Sequence, residues 1–155
     1  MRRGRLEDGD VLLYKDGAYI GRTSLVGRGF PHHECAVNEH VFRLRGMPDC
    51  LPTHLLYLWL SDDVTVQRVR SLNSNAAQPE LNQRKLRELE VLLPSYALAL
   101  TFEGMVEPVF STALDLANSN RVLSGLRDLL LPKLVTGEID VSGLDLDALT
   151  EAGTA

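Results

Sequence analysis

Ten positions, Phe102, Val106, Val109, Ala113, Leu116, Asn120, Leu123, Arg127, Leu130 and Leu134, are spaced alternately four and three apart, and eight of them are apolar. That spacing is a heptad seam, the pattern of a helix that packs along a partner helix. A helix over 98–136 would run roughly 58 Å at about 1.5 Å per residue. Such a rod cannot bury its own stripe, so it needs a second helix, from another chain or from a missing part of this one. Asn120 on the seam would fix register at some cost in stability. Pro108 removes one backbone bond and should bend the helix or mark where it restarts. Gly137 sits where a helix stop is expected, and the tail from Val141 is expected to fray.

Charge divides the chain near the start of that helix. Up to Pro94 there are 13 Lys and Arg against 12 Asp and Glu; from Ser95 onward there are 3 against 9. The first region can face a polyanion, and the second would be repelled by one. The 155 residues are 45% hydrophobic and 24% charged, which excludes disorder of the whole chain. No apolar run approaches the roughly 20 residues that span a bilayer, so a membrane partner is not expected. The basic start has no apolar stretch behind it, unlike a secretory signal. Two cysteines, Cys35 and Cys50, do not make a disulfide framework, which suits free thiols in a reducing cytoplasm.

The first region reads as a mixed α/β unit. Val11-Leu12-Leu13-Tyr14-Lys15 is β-prone, Asp16-Gly17 suits a two-residue turn, and Ala18 to Gly21 would return. Gly27, Gly29 and Pro31 make 26–34 a loop. In His40 to Arg45, Phe42 and Leu44 alternate with Arg43 and Arg45, a half-buried strand. Pro52 suits the first turn of a largely buried helix through Leu55, Leu56, Leu58, Trp59 and Leu60. Asp62 or Asp63 should cap a second helix, and Asn82 a short basic one. Leu89 to Pro94 reads as a closing strand. The expected fold is thus α+β: a mixed sheet with short helices, then one long coiled-coil helix. The expected divisions are 1–94, 95–137 and 138–155.

Three groups of side chains carry the candidate chemistry. Tyr14, Lys15, Tyr19, Arg22, Arg28 and His32 lie on the hairpin and the loop after it. Arg68, Arg70, Asn73, Asn75 and Gln78 form a second group, and Arg84, Lys85 and Arg87 a third. Arg, Asn and Gln read base edges, and Lys and Arg neutralise phosphate. The bland alternative is a solvated face whose amides satisfy a loop. His32, His33, Cys35, His40, Cys50 and His54 match no zinc spacing, so no metal or other cofactor is expected. No nucleophile elbow, phosphate loop or dinucleotide fingerprint occurs. Asp8, Asp10 and Asp16 surround a hairpin, where aspartates are ordinary turn residues.

Gly9-Asp10-Val11-Leu12-Leu13-Tyr14-Lys15-Asp16-Gly17-Ala18-Tyr19-Ile20-Gly21 resembles the specificity subunits of type I restriction-modification systems. Three further segments resemble them in the same order. Ser74 to Asn82 is similar to the family's Ala-Gln-Pro turn, and Leu89 to Pro94 to its strand ending in proline. Phe102 to Pro108, Leu126 to Leu134 and Gly137-Glu138-Ile139 are similar to its long helix and terminus. The resemblance implies a subunit with two target recognition domains, each reading half of a split site in double-stranded DNA. Two long antiparallel helices space them and hold the methylation subunits, and through these the restriction subunit. Catalysis belongs to those partners, so a chain of this kind is not an enzyme by itself. One recognition domain and one helix make at most half a subunit. Only eight residues precede Gly9, so the domain is expected to be short at its front.

The expected arrangement puts the hairpin, the 26–34 loop and 68–78 against a DNA groove. The seam through Phe102, Leu116, Leu123 and Leu134 pairs with a second such helix, in a homodimer or on another specificity subunit. The rival from another class is a fragment that docks on these subunits without reading DNA. A small metallohydrolase using the His/Cys set is a distant third.

Overall fold

A computed structural model describes residues 4–27, 29, 32, 34–72 and 81–143. The chain divides into two compact units, Met1–Ala117 and Asn118–Ala155. The first holds a three-stranded antiparallel sheet of β1 (Val11–Tyr14), β2 (Thr23–Leu25) and β3 (Val41–Leu44), in the order β2-β1-β3. Helices α1 (Thr53–Ser61), α2 (Asp63–Ser71) and α3 (Gln83–Leu86) follow, and α4 runs from Tyr96 to Val135. The fold is therefore mixed α/β. No helix among the described residues is long and apolar enough to cross a membrane.

The period-two alternation of β1 decides where the core lies. Val11 and Leu13 are fully buried, whereas Tyr14 reaches solvent from the opposite face. Val11 packs with Leu51, Leu56 and Leu60, so α1 covers one end of the strand. Leu13 packs with Ile20, Val69 and Leu81, so α2 and the approach to α3 cover the other. Full burial of each such side chain contributes about 1.5–3 kcal/mol. Asp62 starts α2 by accepting from the Val64 and Thr65 N–H groups, and Asn82 starts α3 by accepting from Arg84 N–H. In β3 only Arg43 is exposed, as its alternation requires.

Two local expectations fail for physical reasons. The chain after β1 does not turn in two residues. Gly17–Tyr19 forms a 3-10 turn, and pairing resumes at Thr23, opposite Leu13. Gly17 (φ +65°) and Gly21 (φ +82°) reverse the chain twice, which swings Ile20 into the core between them. A two-residue turn would have left Ile20 on a strand. The segment 89–94 forms no strand: Leu89 packs on the core, but Leu92 is 99% exposed and no ladder partner lies beside it among the described residues.

Helix α4 continues through Pro108, so the missing N–H neither ends nor restarts it. It stops where Gly137 takes φ +74° and donates its N–H to Leu134 O. The tail beyond Gly143 lies outside the described residues.

Candidate nucleic-acid interface

Tyr14 ends β1 on the face away from the helices, and the double reversal after it returns Tyr19 and Arg22 to its side. The Tyr14 and Tyr19 rings lie 5.9 Å apart at 58°. The Arg22 guanidinium sits over the Tyr19 ring, 4.9 Å from its centroid. These three residues, with Thr23 and Ser24, line an open cleft of about 550 Å³. The backbone beneath is tied down: Tyr14 N–H donates to Arg22 O, Gly21 N–H to Tyr14 O and Arg22 N–H to Tyr19 O, at 2.9–3.0 Å.

The second candidate group joins the first through Arg70. Its Nε donates to Ile20 O at 3.1 Å, which holds the α2 arginine against the loop that carries Tyr19 and Arg22. Gly21 lies against α2 there: its φ of +82° favours glycine, and an added Cβ would press on Val66 Cγ1 at 3.3 Å. Arg68 is exposed on the same helix. Tyr14, Tyr19, Arg22 and Arg70 are thus brought together from positions up to 56 apart in sequence.

The remaining candidates are more dispersed. Lys15 lies with its Nζ 5.9 Å from the Phe42 ring centroid. Lys85 Nζ donates to Leu72 O at the end of α2 at 3.2 Å, and its neighbour Arg84 is exposed. His32 is exposed, and its carbonyl accepts from Cys35 Sγ. Arg28, Asn73, Asn75 and Gln78 lie outside the described residues. Beside the cluster stands a residue that motif reading does not single out for this surface. His40 Nδ1 meets Asp16 Oδ2 at 2.5 Å, and this hydrogen bond and charge raise the imidazole pKa above its ordinary 6.5.

The histidines and cysteines do not converge: among the described residues no three of His, Cys, Asp or Glu are placed to hold a metal ion. Both thiols are free and half-buried. His54 belongs instead to a helix-docking contact. The Glu103 carboxylate accepts from the His54 and Leu55 N–H groups and meets His54 Nδ1 at 2.8 Å, so α4 supplies the N-terminal cap that Pro52 cannot give α1. Phe110 stacks on His54 and meets Tyr57 edge-on. Asp10 is equally structural, since it is 1% exposed and accepts from Arg45 Nε and Glu7 N–H.

Of the seam positions in the first unit, Phe102 and Val106 are half-buried, whereas Val109, Ala113 and Leu116 are exposed. The residues that dock α4 there are Ala99, Glu103, Phe110 and Leu114, a face rotated from that seam. In the second unit Asn120, Leu123, Leu130 and Leu134 are all exposed.

No protein-family model matches the chain. Over 85 residues it is 33% identical to the type I restriction enzyme HindI specificity subunit of Haemophilus influenzae. The match takes in 54% of this chain and 18% of that protein, so the chain spans less than a fifth of its curated relative. The similarity suggests the specificity-subunit family.

Proposed function

We propose that this chain recognises double-stranded DNA as a specificity component of a type I restriction-modification system, without catalysing a reaction itself. The observation that carries this reading is its 33% identity to a type I specificity subunit over 85 residues. The exposed Tyr14, Tyr19 and Arg22 cluster, with Arg70 held beside it, supplies side chains of the kind that bind phosphate and read bases. In this reading 1–94 is the recognition region, 95–137 the spacer helix and 138–155 a tail. The complex works in the cytoplasm and reads one part of a split site. Methylation subunits dock on the chain and bring the restriction subunit with them.

The exposed seam from Val109 to Leu134 pairs antiparallel with a second copy or with another specificity subunit. A homodimer would read an interrupted palindrome. A second reading, an interaction module that docks on these subunits without touching DNA, is favoured by those exposed leucines alone.

Methyl transfer to a pool of randomised duplexes separates the two. The methylation subunit of the same system is assayed with and without this chain, and the methylated fraction is sequenced. The proposal expects a sequence motif that appears only when the chain is present. Methylation that needs the chain yet selects no motif would favour the docking module.

A further inference from the structure

Arg22 is held by an aromatic ring, unlike Arg5, Arg43, Arg45 and Arg70 of the first unit. Arg5 and Arg45 meet carboxylates, Arg43 donates to Arg5 O and Arg70 to Ile20 O. Arg22 meets no carboxylate among the described residues. Its guanidinium lies over the face of Tyr19, and its backbone N–H and C=O are both engaged, by Tyr19 O and Tyr14 N–H. A contact of this kind restrains a guanidinium and leaves N–H donors for another acceptor. Those donors are set beside a cleft walled by Tyr14, Thr23 and Ser24.

A planar fork with restrained orientation suits a planar acceptor pair. Among base edges in the major groove, O6 and N7 of guanine form that pair. A phosphate needs only charge, and Arg68 and Arg70 on α2 supply it from a neighbouring element. Resting on the DNA-recognition reading above, we infer that Arg22 is a specificity-determining residue that reads one guanine through O6 and N7, with Tyr19 as the platform that orients it. Arg70 is then a backbone-contacting residue.

The test uses the full chain, with the methylation subunit of its own system, and binding-site selection from a randomised duplex pool. It compares the natural protein with Arg22→Ala and Arg22→Lys. The expected result is one position that is guanine in the natural pool and unspecified with both variants. On the selected site, affinity should fall about 5- to 150-fold, the discrimination of one bidentate pair. The slope of log affinity against log salt should hold for Arg22→Lys, which keeps the charge but not the fork. If Arg22→Ala instead weakens all sequences alike and makes the salt slope shallower by about one, Arg22 is a phosphate contact and the inference is overturned. Unchanged selection with either variant overturns it too. A natural protein that binds no duplex refutes the DNA-recognition reading, and this inference falls with it. Matching urea midpoints of variants and natural protein show that the fold is intact.

Discussion

Replacing Glu103 by alanine should loosen the first unit by an amount the geometry sets. The carboxylate accepts two backbone N–H groups in the first turn of α1, from His54 and Leu55, and α1 has no side-chain cap of its own. Loss of a helix cap costs about 1 kcal/mol. The His54 Nδ1 contact at 2.8 Å lies between side chains only 14% and 21% exposed. A charge-assisted bond there adds about 1.5 kcal/mol. The expected destabilisation is therefore about 2–3 kcal/mol, read as a lower urea midpoint or as a fall in Tm of about 5–10 °C. Glu103→Gln keeps one acceptor oxygen and should cost about half as much. A double-mutant cycle with His54→Ala isolates the side-chain contact, with an expected coupling of about 1 kcal/mol. A Glu103→Ala protein within about 0.5 kcal/mol of the natural chain would refute the argument that α4 caps α1.

Three further outcomes follow from the same structure. Arg45→Ala leaves the buried Asp10 carboxylate without its cation at 2.6 Å, so the urea midpoint should fall, and an unchanged midpoint would contradict it. The Asp16 contact raises the His40 pKa above 6.5, so its stabilisation is complete below the unfolded value and is lost as pH rises through the higher folded one; an NMR titration should place His40 above 6.5 and Asp16→Asn should lower it, while titration at or below 6.5 contradicts the pair. A charge at Leu123, which lies exposed on the seam, should convert a dimer to monomer by light scattering, and an unchanged mass would sink the coiled-coil pairing.

Features set by a few neighbouring residues were legible in the sequence. Asp62 and Asn82 cap helices because a short acceptor side chain there satisfies the next turn's N–H groups, whatever the rest of the fold does. The alternation of β3 and the stop of α4 at Gly137 are equally local. What failed depends on distant partners. Leu89 to Pro94 has the composition of a strand, but a strand exists only beside another. Asp16-Gly17 has the chemistry of a tight turn, yet burial of Ile20 against Val69 and Leu81 makes the longer excursion the better solution.

The site divides in the same way. Tyr14, Tyr19 and Arg22 are near in sequence, and their grouping could be anticipated. Arg70 reaches the loop that carries them through the packing of α2 against Ile20 and Gly21, and Glu103 reaches His54 because α4 packs on α1. Lys85 donates to Leu72 O, thirteen residues back, a contact its residue type does not announce.

The most direct test of DNA recognition is the salt dependence of duplex binding, measured by fluorescence anisotropy on the chain mixed with its methylation subunit. DNA recognition predicts binding that requires the chain, with log affinity falling by about 0.9 per phosphate contact as log salt rises. No chain-dependent binding at low salt would contradict it.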